Sequence, residues 1–545
     1  TTVDIGDGAD PHLVLPASGS YRIIASRGTE WSTASQRIST APGDMEPGED
    51  QSLDFTLYQV APATGYVGSD HHVHQIASPD STVPNDLRIA AMVAEGVELF
   101  AATDHDYVAD LQPEIAALGL TEYTRAMPGL EVTPFAYGHF NAWPIAIDML
   151  DPSRGAVDWA RGTAGYAMIP GEIFAALSER GAEVIQVNHP RSTFPGSFLT
   201  FFDRAGLAFD YGARQIVGDF TAAPVPNDWL RLPETSLWSD GFDALEVWVF
   251  STVGDSNDDG VRELTSLDLN LRDWFNFLSL GFVVTPMGNS DSHGTYSQPN
   301  GLPRTYVRVA DDSPAALASG AVVDEALATL SGRAPRDVVI SNGPHIQVTA
   351  AGLGGSAIGR VIPAPSGAVT LEISVVSAGW AEFDTIELFA NATPDLDAPS
   401  TALQPLLCFT SRAPTDIQDN DVCATTPAGA QPLVVDRVPV GPGADRYQAA
   451  LQVTIASDDI VNRAGASGDD AWLVIRARGQ RAIFPLSTAD LVGEGDDEVI
   501  DILVAGEPGP VDAVLRQAGL PATAFTAAIF IDFDGGGYTA PFSPQ

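Results

Sequence analysis

The sequence predicts a multidomain α/β plus β protein: a β/α barrel over residues 67–340, an N-terminal β-sandwich over 1–66 and a C-terminal β-sandwich over 341–545. Three observations predict it. A chain of 545 residues exceeds one ordinary domain. Short apolar strands alternate with amphipathic helical patterns only in its middle, which implies a parallel sheet long enough to form a barrel. On either side, β-forming runs lie between Gly/Pro/Ser turns with little helical periodicity.

In order along the chain, Leu13-Val14-Leu15, residues 21–25 and residues 53–57 read as strands of the N-terminal unit. In the middle, a helical pattern through Leu87, Ile89, Ala90, Met92 and Val93 precedes the apolar strand 97–103. A helix over 172–180 leads to strand 183–187. Strand 244–249, a helix over about 263–280 and strand 282–285 continue the rhythm. Beyond about 340, runs 369–376, 385–389, 447–456 and 471–476 read as strands, with a short helix near 510–518 before strand 527–531.

Hydrophobic residues at 45% and charged residues at 18% describe a chain able to bury sizeable cores. No apolar run approaches the roughly 20 residues of a membrane span. The formal charge is −44, and all 27 basic residues are arginine. Such a field repels nucleic acid and anionic lipid, leaving a small-molecule substrate as the expected partner. Cys408 and Cys423 are expected to form a loop-closing disulfide if the protein is exported. The start at Thr1 fits an exported protein, periplasmic, secreted or surface-attached, whose signal peptide has been removed.

Seven of the nine histidines fall in the middle region: His71, His72, His74, His105, His139, His189 and His293. They sit where chemistry is expected. Asp70-His71-His72-Val73-His74 opens the region, and Thr103-Asp104-His105-Asp106, Asn188-His189-Pro190 and Ser290-Asp291-Ser292-His293 follow predicted strands. Loops at the C-terminal ends of parallel strands build active sites in β/α barrels. His72 and His74, like Asp291 and His293, are two residues apart, so on extended chain each pair points to one side. His71 then points to the other. Imidazole and carboxylate without thiolate suit Zn, Mn or Fe in a hydrolytic centre. A lone strand histidine is ordinarily a hydrogen-bonded core residue, but four clusters at strand ends are hard to read that way together.

His72-Val73-His74, Thr103-Asp104-His105, Gly129-Leu130-Glu131, Gly138-His139, Asn188-His189-Pro190 and Ser290-Asp291-Ser292-His293 recur in the order of the polymerase-and-histidinol-phosphatase (PHP) superfamily. More narrowly, residues 67–340 resemble the CehA/McbA-type metallohydrolases, the branch that includes carbaryl hydrolase. The resemblance implies a distorted seven-stranded, TIM-like β/α barrel holding two or three divalent metal ions. It implies that His72 and His74 bind the first metal with Asp291, and that Glu131 bridges the first to a second completed by His139 and His189. His105 and His293 would hold a third, with Asp80 as the remaining ligand.

Adjacent cations lower the pKa of water and stabilise charge at the attacked centre, so Glu131 and Asp291 carry the expected catalysis. Arg191 is placed to clamp an anionic substrate, with a structural salt bridge as the alternative. Asp104 and Asp106 are expected to orient ligands from behind. Glu246 is left outside the ligand set, and its neutralisation is expected to be milder than that of Glu131 unless it is itself a ligand. The expected activity is phosphoester hydrolysis; a carbamate, ester or amide hydrolase and a glycan- or surface-binding protein with an inert barrel are the rivals. Phe198, Phe201, Phe202 and Trp229 would line an apolar leaving-group pocket or form a local core. Asp255, Asn257 and Asp259 match the opening of a calcium loop, although Ser266 stands where its last ligand should be. A polar turn is the alternative there, and the expected reading of 532–537.

Overall fold

The structure, a computed structural model, describes residues 15, 19–45, 48, 51–134, 137–162, 166–192, 200–218, 237–249, 265–294, 300–392, 404–413, 423, 426, 429–483 and 521–544. Strand outweighs helix, 34% against 16%. No closed barrel is found among the described residues, which corrects the expected TIM-like one.

Parallel β/α units do form where the sequence alternates. Strands Tyr66–Asp70, Leu99–Ala102 and Arg125–Pro128 pair in parallel, linked by helices Asn85–Ala94 and Gln112–Ala117. Strands Val184–Val187, Ala244–Trp248 and Thr285–Gly288 form a second parallel set. Helix Ser266–Leu280 links the last two; Thr265 caps its start and Gly281, at φ +80°, ends it.

The two sets do not close into a distorted seven-stranded barrel, and the chain shows why. Leu130–Val132 and Phe140–Trp143 pair antiparallel, and Phe140–Trp143 is antiparallel to Val184–Val187 as well. The link 133–139 is too short for the crossover of about a dozen residues that parallel pairing needs. At the opposite seam the Thr305 hydroxyl accepts from the Gly288 N–H and donates to the Gly288 carbonyl, both at 2.9 Å. A side chain thus takes the hydrogen bonds that a neighbouring strand would have made. The result is an open five-stranded sheet facing part of a separate twelve-stranded one.

That long sheet runs from Tyr66–Asp70 through Arg304–Arg308, Val338–Ser341, Pro521–Thr526 and Ala471–Ala482 to Thr385–Ala390 and beyond, crossing residue 340 without a break. A four-stranded antiparallel sheet, His345–Ala350, Ala368–Ala378, Ala444–Ala456 and Asp436–Gly441, packs on its C-terminal part. Val369, Leu371, Ile373 and Val375 alternate inward and share one apolar core with Ile386, Leu388, Leu473 and Ile475. The C-terminal region is therefore sheet on sheet, but one layer belongs to the same sheet as the first β/α unit. In the N-terminal region the described strands, Ser20–Ala25 and Ala34–Ser39, make one antiparallel hairpin rather than a sandwich. Cys408 and Cys423 are disulfide-bonded with Cα atoms 5.4 Å apart. No described helix is long and apolar enough to cross a membrane. The helix expected at 510–518 lies outside the described residues.

Candidate metal centre

The C-terminal ends of the parallel strands in both sheets converge on one place. Beyond Asp70 the chain stays extended between two neighbours: Val73 bridges Ser292, His74 N–H donates to the Ser292 carbonyl at 3.1 Å, and Thr103 N–H donates to the Val73 carbonyl at 3.0 Å. Alternation then sends His72 and His74 to one side. His71 turns away, stacks on Trp143 at 4.6 Å between centroids, and meets Ser69 Oγ through Nε2 at 3.0 Å.

All nine residues expected as ligands meet there. Asp291 Oδ1 lies 3.1 Å from Nε2 of both His72 and His74 and 3.6 Å from His293 Nδ1. Glu131, fully buried on strand Leu130–Val132, reaches five histidines: His72 and His74 at 3.4 Å, His105 at 2.9 Å, His139 at 3.0 Å and His189 at 3.7 Å. Asp80 Oδ2 lies 3.0 Å from Nε2 of both His105 and His293. The atoms fall into overlapping sets, among them His72, His74 and Glu131; His72, His189 and Asp291; His105, Glu131 and His139; and His74, Asp80, His105 and His293. Exposure is graded: the Glu131 side is sealed, while the Asp80 side chain is 47% exposed.

Some of these atoms are hydrogen-bonded, His139 Nδ1 with Glu131 Oε1 and His105 Nε2 with Asp80 Oδ2, both at 3.0 Å, but the innermost ones are not. His72 Nε2, His74 Nε2 and Glu131 Oε2 are buried, and among the described residues none has a hydrogen bond of acceptable alignment. Three orphaned atoms at 2.9–3.4 Å from opposite partners face a common point rather than each other. Buried polar atoms are seldom left so, and this donor set fits a divalent cation. Burial would lower His72, but Asp291, Glu246 and Glu131 raise it well above the usual imidazole range. Burial likewise opposes His105, which Glu131 and Asp80 lift to about 9. Burial lowers His74 to about 4. Burial would raise Glu131, but His72, His139 and His105 hold it well below the carboxylate range.

The clustered side chains are braced from behind. Ser78 Oγ lies 3.0 Å from His74 Nδ1, and Thr133 Oγ1 lies 2.5 Å from His105 Nδ1. Asn188 Nδ2 donates to Glu131 Oε1 at 2.8 Å. Buried Asp70 accepts from the Ser290 hydroxyl and from the backbone N–H of His72, Ser290 and Gly301. Arg88 donates to the carbonyls of His74 and Ser292. Asp104 accepts from Gln75 N–H, and Asp106 from Thr133 N–H and Trp159 Nε1, so both hold loops that carry residues of the cluster. Glu246, set aside in the sequence, lies directly behind His72 with Oε1 2.9 Å from its Nδ1. Its signal was available: an acid inside the apolar run Ala244-Leu245-Glu246-Val247. The bracing by Ser78, Thr133 and Arg88 had none, because hydroxyls and arginines at such positions are common.

Other expected positions fall elsewhere. Arg191 turns to Asp273 at 2.6 Å, Asp203 at 3.0 Å and the Leu207 carbonyl at 2.9 Å, and makes no ion pair with the cluster among the described residues. Phe201 and Phe202 are buried in an aromatic core with Phe140, Trp238 and Phe277. The carboxylates of Asp532 and Asp534 accept from Gly535, Gly536 and Gly537 N–H, as a turn does. Asp255, Asn257 and Asp259, with Phe198 and Trp229, lie outside the described residues.

No protein-family model matches the chain, and no curated protein matches it.

Proposed function

We propose that this chain is a metal-dependent hydrolase of small molecules, built around two or three divalent ions, with phosphoesters as the leading substrate class. One observation carries the reading: nine His, Asp and Glu side chains converge, and their innermost buried atoms face one another without bonding. The motif order that resembles the PHP superfamily supports it; the closed barrel implied by that resemblance is not part of the proposal. His72, His74 and Asp291 would hold one ion, with Glu131 shared to a second held by His139 and His189, and Asp80, His105 and His293 holding the most exposed. Bound ions would supply acidified water and stabilise charge developing on the attacked phosphorus or carbonyl carbon. The chain's own part is positioning: Glu131 fixes the spacing within the cluster, and the sealed strand side excludes water. Substrate approaches from the Asp80 side, where the cluster is open.

A second reading, carbamate or ester hydrolysis, is favoured by Arg191. Its guanidinium is already engaged by Asp273 and Asp203, so it offers no clamp for a phosphate, and an uncharged ester needs none. Both readings are tested together. Protein reconstituted with Zn, Mn or Fe is assayed for metal content and against a panel of phosphomonoesters, phosphodiesters, aryl esters and carbamates. Two to three equivalents of metal are expected, with turnover falling at least about a hundredfold in Glu131→Gln. Less than one equivalent in the wild type, or normal turnover and metal content in Glu131→Gln, overturns the proposal.

A further inference from the structure

Glu246 is the least expected charge in the molecule. It sits mid-strand in Ala244–Trp248, every residue of which is buried. An ionised carboxylate there costs several kcal/mol unless donors surround it, and the donors it has are informative. Its Oε1 lies 2.9 Å from His72 Nδ1 and accepts from Asn289 Nδ2 at 2.9 Å. Its Oε2 accepts the backbone N–H of His189 at 2.7 Å. Asn289 also accepts from His71 N–H through Oδ1 at 2.9 Å. One carboxylate therefore ties together three chain segments, at 71–72, 189 and 289, that carry His72, His189 and Asp291 into the cluster.

The bond to His72 has a chemical consequence. A neutral imidazole carries one N–H. With Nδ1–H donated to a carboxylate, Nε2 keeps its lone pair, and Nε2 is the atom facing Glu131 and Asp291. The other tautomer would turn a lone pair on the Glu246 carboxylate, which is repulsive, and would put an N–H where a cation needs a lone pair. His189 is steered differently: its backbone, at φ +25°, is in the left-handed region that side-chain-bearing residues rarely adopt. The Glu246 bond to its N–H holds the residue there, with Nε2 turned towards Glu131.

We infer that Glu246 is a positioning residue: through Nδ1 of His72 and the backbone N–H of His189 it fixes the His72 tautomer and the direction of both imidazoles, and so sets the affinity of the centre for a divalent cation. The inference rests on the metal reading of the cluster and adds a residue outside the nine ligands. A carboxylate behind a metal-binding imidazole raises ligand basicity, and removing such a partner commonly weakens metal binding 10–100-fold.

The test compares wild type, Glu246→Gln and Glu246→Asp as full-length protein stripped with chelator. Zn²⁺ or Mn²⁺ affinity is measured by chelator competition, metal-free stability by thermal unfolding, and the His72 tautomer by ¹⁵N imidazole NMR of the Zn²⁺-loaded protein. Glu246→Gln keeps the size but has only one acceptor oxygen for the two ends of the brace. It is expected to bind metal about 10–100-fold more weakly, with mixed His72 tautomers and metal-free stability equal to or above wild type. Glu246→Asp keeps the charge, recovers part of the affinity and guards against a fold specific to the Gln variant. A merely structural Glu246 would instead lower metal-free stability and leave affinity intact, which overturns the inference. Affinity within about twofold of wild type in Glu246→Gln with the tautomer unchanged overturns it alone, whereas wild type binding no divalent ion overturns it together with the metal reading.

Discussion

The cluster around Glu131 and the group around Glu387 in the long sheet both bury charge, but only one of them is complete. Glu387 is directly opposite Arg476 on the neighbouring antiparallel strand and accepts from Arg476 Nε and, at 3.1 Å, from Arg478 Nε. The Arg476 guanidinium also lies over Phe389, 5.0 Å from the ring centroid. Burial would push Glu387 up, yet the two arginines hold its carboxyl down to about 2. Glu131 has five histidine neighbours and leaves one oxygen without an aligned partner. Proximity alone does not distinguish a structural ion pair from a binding site; alignment does. Where donors and acceptors point at each other the group is finished, and where they point at a shared space it is built for something to enter.

The largest effect that would break this comparison is on stability. Glu387→Gln leaves two guanidiniums buried beside a neutral amide, and a guanidinium cannot shed its proton. Removing one partner of such a group costs about 3–5 kcal/mol. Glu131→Gln, in chelator-stripped protein, leaves imidazoles that can lose their protons instead, so its cost is expected to be about 1 kcal/mol or less. Urea unfolding of the two variants at neutral pH checks the order. If Glu131→Gln proves the more damaging, the cluster is a structural group and the contrast collapses.

Metal sharpens the same contrast. A cation that binds only the folded cluster stabilises it by about 2.7 kcal/mol at a hundredfold excess over its dissociation constant. Wild type and Glu387→Gln should both gain that increment over their own metal-free baselines, and Glu131→Gln should lose most of it. An equal gain in all three would mean that ions are collecting on an acidic surface whose net charge is −44 and not in the cluster.

Much of the site was legible in the sequence, and much less of the fold. Two-residue spacing on extended chain put His72 with His74 and Asp291 near His293, while alternation sent His71 to the other side. What sequence cannot carry is strand direction and closure. The 133–139 link was short enough to announce a hairpin, yet the β/α rhythm around it suggested parallel strands throughout. The Thr305 side chain that satisfies Gly288 at the other seam looks like any strand threonine. Arg191 follows His189-Pro190 directly, but its partners come from residues 203, 207 and 273, and contacts so distant in sequence leave no local trace. Glu246 could have been read: an acid in a buried strand needs partners, and in a histidine-rich region the nearest donors were foreseeable.

A third buried group sets the smallest effect and reverses its sign. Glu95 and Glu98 lie near Arg304, whose donors go to the carbonyls of Glu95, Gly96 and Gly301 rather than to a carboxylate. Glu95 Oε2 has no hydrogen-bond partner, and Glu98 Oε2 accepts only the Gly68 N–H, at 2.8 Å, among the described residues. Burial raises Glu95 to about 7; burial and then the nearby Glu30 raise Glu98 to about 8. An unfolded glutamate titrates near about 4.3, so the folded chain holds extra protons between these values. Their contribution is fully present below the unfolded pKa and is lost as pH rises through about 7 to 8. Glu387 runs the other way: its contribution is present above the unfolded pKa and disappears as pH falls towards about 2. Denaturant midpoints of chelator-stripped protein should therefore decline between about pH 4 and 8 and level off above. Glu98→Gln, neutral at every pH, should flatten that decline, while Glu387→Gln should keep its slope on a lower baseline. A Glu98→Gln curve parallel to wild type would show that this group is hydrated in solution, and that its carboxylates titrate like surface acids.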